Sequence, residues 1–162
     1  MILRDLVHLP KFAPMTPEKV YYINHTTESN TMCKLINLAN KKEEFIIQTK
    51  YYHVNKYPAI IQILFVYQMK LLFILIETIY LSWNNFPLLS QLQELFSVIL
   101  SPSNVIQSWT DIKKELRGFL NLSLFEFAQI EKTRVINIKD QFQDWFRKTF
   151  SGIRANYFPL DD

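Results

Sequence analysis

Short apolar runs, separated by polar and proline-bearing stretches, set the rhythm of this chain. Val20-Tyr21-Tyr22-Ile23 is β-branched and aromatic and reads as a short strand. From Ser29 to Lys42 the period changes: Met32, Leu35, Ile36 and Ala39 recur at helical spacing behind the polar start Ser29-Asn30-Thr31. Glu44 to Lys50 reads as a strand, followed by a polar and aromatic loop, Tyr51 to Tyr57. Two further strands follow, about Ala59–Tyr67 and Lys70–Ile79, turning at Gln68-Met69. Their unbroken apolar character predicts burial on both faces.

The second half alternates helix and strand. After the turn Asn84-Asn85-Phe86-Pro87, residues Leu88, Leu89, Leu92, Leu95, Phe96 and Ile99 form one helical face that stops at Ser101-Pro102. Asn104 to Gln107 is a short strand. Ser108-Trp109-Thr110-Asp111 has capping-box spacing and predicts a helix whose stripe is Trp109, Ile112, Leu116, Phe119 and Leu120. Thr133 to Ile136 is another strand. Asn137 to Asp140 then cap a last helix, with Ile138, Phe142, Trp145, Phe146 and Phe150 on one face. Residues 1–19, broken by Pro10, Pro14 and Pro17, form an irregular lead-in, 20–150 one domain, and 151–162 a tail. A meander of adjacent strands followed by αβαβα predicts an α/β fold. Its mixed five-stranded sheet would carry helices on both faces.

Ile60 to Leu81 has the hydropathy of a membrane span but not its content. Lys70 stands at its centre, where a charge costs about 2.5–3.5 kcal/mol on insertion, and Glu77 and Gln68 add polarity. Strands account for the segment and no membrane association is expected. With 162 residues, 49% of them apolar, the chain can bury one sizeable core. Its two glycines, Gly118 and Gly152, cannot build a phosphate-binding glycine loop or a nucleophile elbow. The single Cys33 excludes a disulfide framework and a cysteine-based zinc site. It points to a reducing, intracellular compartment, cytoplasmic or nuclear. His8, His25 and His53 lie at no ligand spacing to one another or to Cys33. The formal charge of +3 is compatible with a polyanionic partner.

The strand ending Gln48-Thr49-Lys50 is followed by one opening Pro58-Ala59-Ile60-Ile61-Gln62-Ile63. Together with the strand-helix unit from Val105 to Phe119 and the strand Arg134-Val135-Ile136-Asn137, this order resembles a DEDD-type 3'-5' exonuclease domain of the ribonuclease H-like superfamily. The likeness runs from Val20 to Phe150. It implies two-metal hydrolysis by four carboxylates, the first pair being Asp-x-Glu at the end of the first family strand. Here an amide, Gln48, and an ammonium, Lys50, hold those two positions; divalent magnesium needs hard anionic oxygens. For the second motif the resemblance offers Glu115, with Asp111 as rival. Asp111 has a competing reading as the third capping-box position, and Glu115 as a solvated helix charge. Tyr157 to Asp161 match the letters of the third motif, but Pro159 opposes a helix there. The resemblance further implies that the chain stops before the family's last helices.

The expected function is nucleic-acid binding, with single strands as partner, metal-dependent catalysis lost and no cofactor. Mg2+ or Mn2+ would enter only with residual nuclease activity through Glu115 and Asp111. Candidate binding residues are Lys50, Tyr52, Lys56, Lys113, Lys114 and Arg117: cations for phosphates and rings for bases. His53 would sit near the mouth of the same cleft. The alternative is a protein-interaction or structural remnant of the fold, which predicts an exposed apolar patch.

Overall fold

The computed structural model describes residues 19–52, 57–67, 70–81 and 85–150, and these build one six-stranded mixed sheet. Its strands are β1 (Lys19–Ile23), β2 (Glu44–Tyr51), β3 (Pro58–Tyr67), β4 (Lys70–Glu77), β5 (Val105–Ser108) and β6 (Arg134–Asn137). They lie in the order β1-β4-β3-β2-β5-β6. β2, β3 and β4 form an antiparallel meander; β1 joins β4, β5 joins β2, and β6 joins β5 in parallel. The expected order of elements is present. The sheet differs from the expected five strands because Lys19–Ile23 pairs along β4 and adds a sixth.

The helices are α1 (Ser29–Ala39), α2 (Phe86–Ile99), α3 (Ile112–Arg117), α4 (Phe127–Lys132) and α5 (Ile138–Phe150). α1 buries Met32, Leu35, Ile36 and Ala39, the positions its spacing predicts. α2 starts where Asn85 accepts the Leu88 N–H at 3.3 Å, and Pro87 occupies the first turn, where its missing N–H has no partner to lose. Leu88, Leu92, Leu95, Phe96 and Ile99 of α2 are buried. They share one core with the inward-facing row of the sheet: Phe45 and Ile47 of β2, Ile61, Ile63 and Phe65 of β3, and Ile74 and Ile76 of β4.

The intervening residues point the other way, as a two-residue period requires. Ile46, Gln48, Ile60, Gln62, Leu64, Phe73 and Leu75 are only partly covered or exposed. Full burial of both faces of β3 and β4 is therefore not what the structure shows. The apolar runs fill a dry face and a half-exposed one.

Three elements depart from the sequence pattern. α3 ends at Arg117, so Phe119 packs from the following turn and Leu120 enters a 3-10 turn, Leu120–Leu122. α4 was not expected. It is short, and its start is fixed by the Glu126 N–H donating to Gln129 Oε1 at 2.7 Å rather than by a hydrophobic period. β4 stops at Glu77 and continues as the 3-10 turn Thr78–Tyr80. The turn at Gln68-Met69, the lead-in before residue 19 and the tail after residue 150 lie outside the described residues. No helix among the described residues is long and apolar enough to cross a membrane, and Ile60–Leu81 is occupied by β3, β4 and that 3-10 turn where described.

Thr78 explains how the end of the meander holds its register. The β2–β3 pairing slips between Lys50 and Tyr51. The buried Thr78 hydroxyl donates to Pro58 O at 2.8 Å and lies 3.1 Å from Ala59 O, tying the turn after β4 to the start of β3. Thr78→Val keeps the shape and removes the donor. Its expected cost is about 1–3 kcal/mol, read as a lower urea midpoint at unchanged slope. An unchanged midpoint would mean that backbone pairing alone sets the register.

Candidate functional site

In open α/β sheets, ligands gather at the carboxyl ends of the strands, where neighbouring connections diverge. β2 and β5 run parallel and end on the same edge. Gln48-Thr49-Lys50 lies at that end of β2. Strand alternation divides the three residues. Gln48 stands directly opposite Gln62, and Lys50 opposite Ile60, all on the half-exposed face. Thr49 is buried on the other face, opposite Ile61.

That other face meets α3. The Thr49 hydroxyl donates to the Glu115 carboxylate. The Tyr51 hydroxyl donates to the Glu115 backbone carbonyl at 2.5 Å. The Tyr51 ring packs edge-on against Phe119, with centroids 5.3 Å apart. Burial, and secondly the Glu115 charge, raise the Tyr51 phenol above its ordinary value near 10. Gly118 completes the contact by absence: a β-carbon there would overlap the Tyr51 hydroxyl oxygen and lie 3.1 Å from its ring carbons. Thr49, Tyr51, Glu115 and Gly118 thus fasten α3 to β2. Sequence reasoning assigned no site role to Thr49 or Gly118, and placed Tyr51 in the aromatic loop after the strand, beside the expected groove. The available signal was parity, since Thr49 and Tyr51 continue the buried row begun by Phe45 and Ile47.

The other candidates fall in separate places. Asp111 is the N-cap of α3, accepting the Lys114 N–H at 3.2 Å. The expected capping box one turn earlier is replaced by this cap. Ser108 remains in β5, and Trp109 lies before the helix, exposed, with its ring 5.9 Å from that of Phe142. Lys113 Nζ donates to Glu131 O at 2.7 Å. Arg117 pairs with the Glu131 carboxylate at 2.8 Å and covers the Phe127 ring at 5.3 Å. These two cations bind α3 to α4, while Lys114 is exposed. Lys50 lies on the sheet face opposite the one that receives Glu115. The α3 cations and Lys50 therefore do not form one cleft around the Gln48 position. Tyr52 is exposed just beyond β2, its N–H donating to Tyr57 O at 2.9 Å. His53, Lys56 and Tyr157–Asp161 lie outside the described residues.

The donor set does not suit the two divalent ions of the DEDD pattern. Gln48 supplies at most a neutral oxygen and Lys50 an ammonium, which repels a dication. Glu115 is engaged by Thr49 on the opposite face, and Asp111 by its own helix. Among the described residues, no three His, Cys, Asp or Glu side chains are grouped to hold a metal ion. An open groove of about 680 Å³ lies at the other end of β2, lined partly by Lys41, Lys42, Glu43 and Glu44. Its mixed charges converge on no single ligand chemistry.

No protein-family model matches the chain, and no curated protein sequence matches it. Among solved structures it is similar to an RNase D of Trypanosoma brucei, with a TM-score of 0.52 at 10% identity. The match covers 88% of this chain and 50% of the trypanosomal one, so the chain spans about half the length of that neighbour. At this identity the likeness is one of fold. The chain has a mixed α/β, ribonuclease H-like architecture, as its order of elements implies.

Two outcomes are expected from the α3 fastening. Gly118→Ala should cost about 1–3 kcal/mol by overpacking, and less in a Tyr51→Phe background, where the overlapping oxygen is gone. Thermal unfolding of the four proteins of this double-mutant cycle measures the coupling; strict additivity would rule the contact out. In alkali the folded chain holds the Tyr51 proton more tightly than the unfolded chain does. Stability from this group is complete below pH 10 and is lost as pH rises through the raised folded value. Melting temperature should therefore fall more steeply above pH 10 in the wild type than in Tyr51→Phe.

Proposed function

We propose that this chain binds single-stranded nucleic acid at the carboxyl edge of β2 and has given up metal-dependent hydrolysis. The observation that carries this reading is the side-by-side placement of Gln48 and Lys50 on the half-exposed face, at the strand end where this architecture gathers ligands. An exposed ammonium there attracts a phosphate instead of a metal, and Gln48, paired with Gln62, offers neutral donors and acceptors beside it. Exposed Tyr52 follows two residues later and gives a ring on which a base can stack. The RNase D neighbour shares the fold and supports a nucleic-acid ligand by analogy. Residual hydrolysis through Glu115 is disfavoured by its hydrogen bond to Thr49, which directs its carboxylate to the opposite side of the sheet.

A protein-interaction role has one observation in its favour. The half-exposed face also carries apolar Ile46, Leu64, Phe73 and Leu75, with exposed Tyr22 beside them. The two readings separate in solution. Filter binding of unstructured RNA and DNA oligonucleotides across a salt series should show affinity that falls as salt rises. Lys50→Glu should weaken binding at low salt and flatten the log–log salt slope by about one. Mg2+ or Mn2+ should leave the oligonucleotides intact. Absence of binding by the wild type at low salt would overturn the nucleic-acid reading; metal-dependent degradation would overturn the loss of catalysis.

A further inference from the structure

Resting on the nucleic-acid reading above, we infer that Trp109 and the aromatic face of α5 form the track along which the bases of a bound single strand stack. Phe142, Trp145 and Phe146 are spaced i, i+3 and i+4 and share one side of the helix. A core-facing stripe of this kind would be hidden. Here Phe142 is 46%, Trp145 53% and Phe146 42% exposed, and Trp109 is 47% exposed. The rings form a connected series: Trp109 to Phe142 at 5.9 Å, then Phe142 to Trp145 at 5.6 Å and to Phe146 at 6.2 Å.

The chemistry around the rings selects the occupant. The three exposed residues of the stripe are all aromatic, and its aliphatic member, Ile138, is half-buried. Lys139 and Lys148 flank it, exposed, while Arg147 lies on the far side of the helix with Asp140 and Asp144, 3.9 Å from Asp144. Flat apolar faces joined by anions are what rings flanked by cations bind, and single-stranded nucleic acid supplies both. Position agrees. Trp109 directly follows Ser108, the last residue of β5, and α5 directly follows Asn137, which pairs with Ser108. The two elements that carry the rings therefore leave the sheet at the edge where β2 ends. A strand held by a phosphate at Lys50 has its stacking surface on the adjacent strand ends.

The test measures oligonucleotide affinity of the full chain by fluorescence anisotropy, with far-UV circular dichroism as the check on folding. Trp145→Ala should weaken binding about ten-fold at an unchanged salt slope, and Trp145→Phe should restore most of it, because phenylalanine keeps a ring without the indole N–H. Wild-type affinity in both Trp145→Ala and Phe142→Ala would overturn the track while leaving the Lys50 reading intact. No binding by the wild type would overturn both. Light scattering that shows a dimer dispersed by Trp145→Ala would also overturn the track, by assigning this face to a second copy.

Discussion

Strand β2 must satisfy two neighbours and two environments at once, and that constraint organises the molecule. It pairs antiparallel with β3 and parallel with β5, so its register is set from both sides. A shift of one residue would carry Phe45 and Ile47 out of the core and draw Lys50 in. Desolvating an unpaired ammonium costs several kcal/mol, and the lost apolar burial adds to that. The face assigned to each residue from Glu44 to Tyr51 is therefore a consequence of packing, whatever chemistry the strand end performs.

This assignment also determines how α3 is held. Six residues are too few for a stable isolated helix. α3 gains its order from buried Ile112 and Leu116, from the Asp111 cap, and from Thr49 and Tyr51 reaching it from below. On its outer side Lys113 and Arg117 fasten α4 through Glu131. The polar residues of α3 thus serve mainly to join elements. Charges that read from the chain as a solvated, phosphate-ready surface are partly spent on neighbours brought close only by the fold.

Periodicity carried the long elements. α1 and α2 repeat apolar residues over several turns, and the meander strands are long and β-branched, so local pattern and tertiary packing agree. The short elements did not announce themselves. α4 has too few residues to display a period, and the end of α3 depends on where Phe119 finds the Tyr51 ring. At the candidate site, the chain revealed that Gln48 and Lys50 share a face. It did not reveal that Glu115 approaches from the other one, because the side of a sheet on which a helix packs is a tertiary fact. The last helix was legible as amphipathic. Its apolar residues share one face, and Phe142, Trp145 and Phe146 of that face stand exposed, since a hydrophobic stripe specifies a contact surface without naming what it contacts.

The outermost strands have a bearing on solubility during and after folding. A sheet with a ten-residue central strand such as β3 could template intermolecular addition if its long ladder were open. Among the described residues the ladder ends instead in β1, five residues long, and β6, four residues long. Each begins with an exposed cation, Lys19 or Arg134. Brief borders bearing charge offer an incoming chain few backbone partners and an electrostatic deterrent. The same order of strands that displays the Lys50 edge thereby places short strands at both borders of the described sheet.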